Sequence, residues 1–175
     1  PFHMEYLMDA ASGWPTWELH VGGLVKSPRT FFLEDLKALP ARTQITRHDC
    51  VEGWSAIAKW KGVPVGEIMK AVQPRPTARY VVFHCMDTDT DGNHYYESVD
   101  LYDALHPQTI LAYEMNDRPL PIQHGAPHRL RVETQLGYKM AKYVRQIEFV
   151  ASFKEIGAGK GGYWEDQGYE WYAGI

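Results

Sequence analysis

Cys50 is the residue of this 175-residue chain whose surroundings most suggest reactive chemistry. Arg47 and His48 stand just before it, and nearby positive charge favours the thiolate, the form that acts as a nucleophile or metal ligand. Residues 44–46 read as the end of a strand and Gly53 breaks that pattern, so we predict that Cys50 lies where a strand enters a loop. Rigid scaffolds usually present reactive groups at such places. The alternative is a buried thiol that acts as a small hydrophobic side chain, as most free cysteines do.

A second group of residues predicts a site for an anion. Two histidines and two arginines lie close together around a Gly-Pro break, just before a predicted strand: His124, His128, Arg129 and Arg131. Arginine offers a rigid fork of donors that suits phosphate and other oxyanions. Gly137 then opens a turn that carries Lys139 and Lys142, where backbone N–H groups and ammonium charge can meet a phosphate. The alternative is a basic loop that is neutralised by acidic residues elsewhere on the surface.

Three aspartates alternate after a predicted strand. Asp87, Asp89 and Asp91, followed by Gly92, resemble the opening of an EF-hand calcium loop. The pattern fails downstream, because the twelfth position is Ser98 rather than Glu and the flanking segments read as strands. We therefore predict a solvated turn here, with a rim that faces a substrate as the alternative.

Several familiar active-site patterns are missing from the sequence. There is no Gly-x-Ser-x-Gly elbow, no Walker loop and no Rossmann glycine fingerprint. Zinc is not favoured, since neither Cys-x-x-Cys nor His-Glu-x-x-His occurs. A nucleophilic pair between Cys50 and a histidine remains open, because His48, His124 or His128 could approach the thiol in space.

Composition limits the class of protein. Hydrophobic residues make up 45% and charged residues 23% of the chain, which is ordinary for a globular protein, and the length suggests one domain. A net charge of −4 argues against nucleic-acid binding, which needs a broad basic surface. Two cysteines do not make a disulfide scaffold, and no apolar run approaches the roughly 20 residues that cross a bilayer. Because the first residue is Pro1, the sequence is silent on any targeting segment.

Periodicity predicts an α+β domain that is mostly β. Alternating or dense apolar patterns indicate strands at 17–21, 44–50, 78–85, 95–101, 109–114, 129–133 and 144–150. Helical spacing indicates short helices at 33–39, 65–72 and 101–105. We interpret 1–16 as an extended N-terminal arm and 157–175 as a Gly-rich and then aromatic tail, within one domain that spans 1–175.

Five motifs stand in an order that is specific to a known family. They are Cys-Val-Glu-Gly-Trp-Ser at 50–55, Trp-x-Gly-Val-Pro at 60–64, Leu-Ala-Tyr and Asn-Asp-Arg-Pro-Leu-Pro within 111–121, His-Gly-x-Pro-x-Arg-Leu at 124–130 and Gly-Tyr-Lys-x-x-Lys at 137–142. In this order they resemble the molybdopterin-binding domain of the sulfite oxidase family, which includes bacterial protein-methionine-sulfoxide reductase catalytic subunits. The resemblance covers about 17–169 and implies the mixed α+β, mostly β, sulfite-oxidase fold.

The resemblance implies roles for individual residues. It implies that Cys50 is the single protein thiolate ligand to molybdenum, a soft ligand that suits such a centre, and hence a catalytic residue. It implies that Tyr169 is an active-site tyrosine, which would hydrogen-bond the substrate oxygen. The residues implied to hold the molybdopterin cofactor are His124, Arg129, Gly137, Lys139, Met140, Lys142 and His3.

Departures from the family pattern bear on the substrate. Sulfite oxidases carry an arginine five residues after the ligand cysteine, whereas this chain has Ser55. That departure brings the chain closer to the sulfoxide-reductase-like branch, while His124 is nearer to the sulfite oxidases. The residues that would bind an anionic substrate are therefore open, with Arg47, Arg118 and Arg131 as candidates.

The resulting hypothesis is a molybdenum- and molybdopterin-dependent oxidoreductase that transfers an oxygen atom on a small sulfur oxyanion or a sulfoxide. Its electrons would pass through a redox partner such as a cytochrome or a haem-containing membrane subunit. The resemblance favours a soluble protein of the periplasm, and no nucleic acid is expected as a partner. Two alternatives stay open: a cofactor-binding or interaction module with little turnover, and a hydrolase built on Cys50 and a histidine.

Overall fold

Two β-sheets with short helices between their strands make up residues 4–175, which a computed structural model describes. The strands are β1 (Glu18–Gly23), β2 (Arg29–Phe32), β3 (Arg42–Asp49), β4 (Ser55–Pro64), β5 (Tyr80–Thr88), β6 (His94–Asp100), β7 (Ile110–Met115), β8 (Arg118–Pro119), β9 (Arg129–Arg131) and β10 (Val144–Val150). The helices are α1 (Met4–Ala11), α2 (Leu33–Ala38), α3 (Val65–Val72), α4 (Leu101–Leu105) and α5 (Tyr163–Asp166). Two 3-10 turns cover Ile122–His124 and Gly137–Lys139.

The strand order places both sheets around one core. The first sheet runs β2-β1-β10-β5-β6, with β1 and β10 parallel and the other pairs antiparallel. The second sheet runs β3-β4-β7-β8, and β9 also pairs with β7. Phe83 and Ile147 from the first sheet belong to the same buried cluster as Val63 and Leu111 from the second. The prediction of a mostly β, α+β fold is confirmed.

Helix α3 shows how the short helices are stabilised. Val65, Ile68, Met69 and Val72 recur at helical spacing and are buried in the core. No side chain caps the N-terminus of this helix, so packing stabilises it, at about 1.5–3 kcal/mol for each large apolar side chain buried. The helix ends at Gln73, whose left-handed backbone (φ 54°) turns the chain just before a proline.

The hairpin of β3 and β4 positions the reactive segment. Asp49 at the end of β3 pairs with Ser55 at the start of β4, so residues 50–54 form the connecting loop. The sequence pattern did not predict β4. In its first half the apolar residue Ile57 is 72% exposed, so buried apolar and exposed polar residues do not alternate as they usually do in a strand. A register irregularity follows between Lys61 and Gly62.

The extended arm predicted for 1–16 is wrong for Met4–Ala11, which form α1. The physical reason is composition, since this segment has no glycine, proline or β-branched residue and consists mainly of good helix formers. Tyr6 anchors the helix, because its hydroxyl donates to the carbonyl of Ala126 at 2.7 Å. Its ring also packs against Trp14 at a centroid distance of 4.9 Å.

The C-terminal tail folds back onto the first sheet. Glu97 on β6 forms an isolated bridge with Gly162, and the Tyr96 hydroxyl donates to the Asp166 carboxylate at 2.6 Å. These contacts place α5 beside β6, the edge strand of the first sheet. Within residues 4–175, no helix is long and apolar enough to span a bilayer.

Candidate functional site

A cavity of about 740 Å³ is lined by residues of both sheets and of the C-terminal tail. The predicted site residues on its wall are Cys50, His124, Arg129, Gly137, Met140, Lys142 and Tyr169. The structure therefore brings together residues that are more than 100 positions apart in the chain. Lys139 is not on the wall, and His3 lies outside the described residues.

Cys50 follows β3 directly, as predicted, in a tight loop at the cavity. Its N–H donates to the Trp54 carbonyl at 2.9 Å and its carbonyl accepts from Gly53 at 3.0 Å, where a φ of +90° suits glycine. The thiol is partly exposed, and Sγ lies 3.9 Å from a carboxylate oxygen of Glu52. Within residues 4–175, no three His, Cys, Asp or Glu side chains cluster as a metal site, so the protein side chains alone do not form a metal-binding cluster around Cys50.

Arg129 is a buried cation without a carboxylate partner. Its two terminal nitrogens donate to the carbonyls of His124 (3.2 Å) and Met140 (3.3 Å), and its Nε has no partner among the described residues. Burial, together with repulsion from Arg131, lowers the pKa of Arg129 to about 9. A buried guanidinium with a spare donor on a cavity wall is suited to bind an anion.

Lys142 adds a second cation to the same wall. Its ammonium donates weakly to the Gln123 carbonyl at 3.4 Å, and neither Lys142 nor Arg129 forms an ion pair in the part of the chain described. Burial, followed by the charge of Arg129, lowers the pKa of Lys142, and the same two causes lower the pKa of His124. The absence of a side chain at Gly125 leaves room for Lys142, because a Cβ on residue 125 would lie 2.8 Å from the Cβ of the lysine. Of the cations in the predicted anion site, Arg129 and Lys142 line the cavity and form no ion pair with the described residues.

Lys139 does not belong to that pair, and this corrects the role implied for its side chain. It is fully buried, and its ammonium is held by the carboxylates of Glu97, at 2.5 Å, and Glu165. The 3-10 turn at Gly137–Lys139 directs this lysine into the protein while the glycine still faces the cavity. Burial raises the pKa of Glu97 well above its usual range; Lys139 opposes this shift and the neighbouring Glu165 carboxylate adds to it.

None of the three candidate substrate arginines lines the cavity. Arg47 is exposed and pairs with Asp49 at 2.8 Å. Arg118 is exposed on β8. Arg131 is completely buried and its guanidinium is paired with Glu133 at 2.7 Å. Because two of these arginines are paired and none reaches the wall, the structure does not support them as ligands of a substrate in this cavity.

The tail and β6 supply an aromatic wall that the sequence pattern only partly revealed. Tyr169 lines the cavity, with ring centroids 5.1 Å from Tyr138 and 5.5 Å from Trp164. Tyr163 and Tyr95 continue this wall at a centroid distance of 4.3 Å. Large aromatic side chains with polar tips can contact both an apolar group and a hydrogen-bonding group of a ligand.

Asp87 is a cavity residue that the sequence pattern placed in a solvated turn. Strand β5 extends through it, and Cys85 and Asp87 both line the cavity because residues two apart share one face of a strand. Its Oδ1 is buried without a partner among residues 4–175, and burial raises its pKa to about 6. Only the following part is a turn, where Asp89 accepts N–H groups of Asp91 and Asn93.

Comparison with known proteins places these motifs in a family. The model of the oxidoreductase molybdopterin binding domain matches residues 5–155. A putative protein-methionine-sulfoxide reductase subunit, YedZ1 of Azospira oryzae, is 44% identical over 167 residues, which cover 95% of this chain and 58% of that protein. The protein-methionine-sulfoxide reductase catalytic subunit MsrP of Ralstonia nicotianae is 36% identical over 144 residues, which cover 77% of this chain and 44% of that protein.

A solved structure has a similar fold. The sulfane dehydrogenase SoxCD from Paracoccus pantotrophus superposes with a TM-score of 0.70 at 22% identity, over 78% of this chain and 38% of that chain. At this identity the likeness concerns the fold alone. The chain spans about half the length of the curated relatives that it matches.

Proposed function

The chain belongs to the oxidoreductase molybdopterin-binding domain family, and we propose that it is the catalytic domain of a molybdenum enzyme that reduces sulfoxides to thioethers. The cofactor of this family is molybdenum held by molybdopterin. When bound, that cofactor supplies the two-electron exchange of an oxygen atom, and the protein binds, orients and shields the reacting groups.

The cavity fits this cofactor by chemistry. Arg129 and Lys142, which lack a carboxylate partner among the described residues, suit the terminal phosphate of molybdopterin. His124 and the backbone of Gly137 and Met140 stand beside them on the wall. The spare Oδ1 of Asp87 can accept the N–H groups of a pterin ring. Cys50 would provide the thiolate ligand, a soft donor that suits such a metal.

The charges around Cys50 favour a neutral sulfoxide over a sulfur oxyanion, and this observation carries the choice of substrate. The Glu52 carboxylate lies 3.9 Å from Sγ, and Ser55 stands where sulfite oxidases have an arginine. The wall cations Arg129 and Lys142 are those assigned to the cofactor phosphate. A dianion such as sulfite would be repelled by the Glu52 carboxylate, and no further cation on the described wall would be available to bind it. A sulfoxide carries no net charge and is not repelled in this way.

The reaction balances with an external electron donor. A sulfoxide takes up two electrons and two protons, its S–O bond breaks, the oxygen leaves as water and the sulfur becomes a thioether. Tyr169, on the aromatic wall, is proposed to hydrogen-bond the sulfoxide oxygen, and the apolar ring faces around it suit the carbon substituents of the sulfur. The donor is proposed to be a cytochrome or a haem-containing membrane subunit, in the periplasm, as the family resemblance implies.

The hydrolase alternative lacks a base at the thiol. In the part of the chain that the structure describes, no histidine hydrogen-bonds Sγ of Cys50, and the polar partner of Sγ is the Glu52 carboxylate at 3.9 Å. The Nδ1 atom of His48 is occupied by Arg131 at 2.8 Å. A thiol without an adjacent base is a weak nucleophile for hydrolysis.

Metal and pterin analysis followed by paired assays tests the proposal. Protein made where molybdenum cofactor is available should contain about one molybdenum and one pterin per chain. It should oxidise a reduced viologen with methionine sulfoxide and should transfer electrons from sulfite to ferricyanide much more slowly. Faster sulfite oxidation would reverse the choice of substrate. Loaded protein that turns over neither compound would support a cofactor-binding module instead.

A further inference from the structure

The two ring nitrogens of His48 have different surroundings on the cavity wall. It lies on β3, two residues before Cys50, and lines the cavity wall. Its Nδ1 edge faces inward, 2.8 Å from a terminal nitrogen of Arg131. Its Nε2 edge lies beside Gly137, where a Cβ would collide with Nε2, so the glycine makes room for the imidazole. Trp54 covers one side of the ring at a centroid distance of 5.7 Å.

Arg131 is locked in place behind this histidine. It is completely buried, and its Nε and Nη2 donate to the two carboxylate oxygens of Glu133 at 2.9 and 2.7 Å. The Nε2 of Gln44 donates to the same carboxylate at 2.9 Å, and the guanidinium lies over the ring of Trp60 at 4.4 Å. The guanidinium therefore has little freedom to rotate, and Glu133 cancels its charge.

This arrangement fixes the hydrogen on the imidazole of His48. Arginine has donors and no acceptor, so Nδ1 must accept the hydrogen bond from Arg131 and cannot carry a hydrogen. The ring is then neutral and its single hydrogen sits on Nε2. The result is one neutral N–H donor of fixed tautomer, which lies beside Gly137 among the residues that line the cavity.

We propose that this Nε2–H of His48 donates a hydrogen bond to the oxygen of a neutral sulfoxide, with Arg131 as the positioning residue that sets the tautomer. The proposal rests on the proposed function and extends it to the residue that selects the substrate. A neutral donor binds the strongly polar sulfoxide oxygen without adding the positive charge that would attract an oxyanion. His48 thus offers the substrate a neutral donor in a chain that has Ser55 where sulfite oxidases carry an arginine.

The tautomer is tested first, because it does not depend on turnover. Nitrogen-15 NMR of the histidine side chains, in cofactor-free and cofactor-loaded protein, should find His48 neutral with its hydrogen on Nε2 at pH 7. The spectrum of a His48→Leu variant assigns the signal, and His20→Leu, which removes an exposed histidine, serves as the matched control. The paired variant Arg131→Met/Glu133→Gln, which removes both members of this buried ion pair, should release the tautomer preference. A hydrogen on Nδ1 in the wild type, or an unchanged signal in the paired variant, would overturn the role of Arg131.

The role toward substrate is tested by keeping or removing the donor. Glutamine can place an N–H near the former Nε2 position, whereas leucine cannot. His48→Leu should lower kcat/KM for methionine sulfoxide about 10- to 100-fold at unchanged molybdenum and pterin content, and His48→Gln should recover most of that loss. Equal turnover in His48→Leu and wild type would overturn the proposal. A wild type that is fully loaded but inactive with sulfoxides would overturn the proposed function itself, while the NMR result on Arg131 would stand separately.

Discussion

Lys139→Met should destabilise the protein without removing the groups that bind the cofactor. Lys139 is fully buried between Glu97 and Glu165, whose side chains are 3% and 1% exposed. Among residues 4–175, Lys139 supplies the one ammonium that pairs with these two carboxylates, so its removal leaves uncompensated buried charge, which typically costs about 3–5 kcal/mol. In a chain of this length, each kcal/mol of lost stability lowers Tm by about 2–4 °C, so we expect Tm to fall by roughly 6–20 °C.

The destabilisation by Lys139→Met should depend on pH. Burial already holds the pKa of Glu97 well above its usual range, so the folded state binds a proton more readily than the unfolded state does. The free energy of unfolding must then fall as pH rises from the unfolded pKa of a glutamate through the folded one. Without Lys139 the folded pKa rises further. The variant should therefore lose more stability at pH 8 than at pH 5.

Urea unfolding at the two pH values measures both effects. Lys154→Met, at an exposed site, is the matched control and should change the free energy of unfolding by less than about 0.5 kcal/mol. The triple variant Lys139→Met/Glu97→Gln/Glu165→Gln, which removes all three charges, should recover much of the stability. If Lys139→Met were as stable as wild type but lost its pterin, the lysine would bind the cofactor and the reasoning from burial would be refuted.

Three further predictions concern the cavity. Arg129→Met should reduce the pterin content of purified protein about 10-fold or more, because a charge-assisted contact is worth about 1.5–3 kcal/mol; undiminished pterin fluorescence would contradict the anion site. Cys50→Ser should keep the fold and most of the pterin but abolish sulfoxide reduction, and full turnover in that variant would exclude the thiolate assignment. Gly125→Ala should cost about 1–3 kcal/mol in urea unfolding, since φ is +105° and the new Cβ meets Lys142; a loss below about 0.5 kcal/mol would count against that packing.

The spacing of apolar residues in the sequence predicted those strands and helices that have one buried and one exposed face. The strand expected at 144–150 coincides with β10, and the helix expected at 65–72 coincides with α3, because both bury a regular subset of their residues. Strand β4 was missed where Ile57 faces outward. The extended arm was wrong where good helix formers make α1.

The order of the motifs predicted which segments line the cavity. Contacts between residues that are far apart in sequence determine which of their side chains face it. Lys139 and Lys142 belong to one motif, yet only Lys142 faces the cavity. The ammonium of Lys139 is instead bound by Glu97, which is 42 residues away in sequence. Arg131 pairs with nearby Glu133, but it also donates to His48, which is 83 residues distant in sequence. A single sequence carries no signal for such partners, since they depend on which strands become neighbours.

X-ray absorption at the molybdenum edge of loaded protein tests the central claim most directly. If Cys50 is the protein ligand to a molybdenum bound by one molybdopterin, the wild type should show three sulfur neighbours and the Cys50→Ser variant two, with pterin content preserved. An identical sulfur count in the two proteins would contradict the assignment of Cys50. If wild type made where molybdenum cofactor is available showed no molybdenum signal at all, the assignment of this cavity to the cofactor would be contradicted.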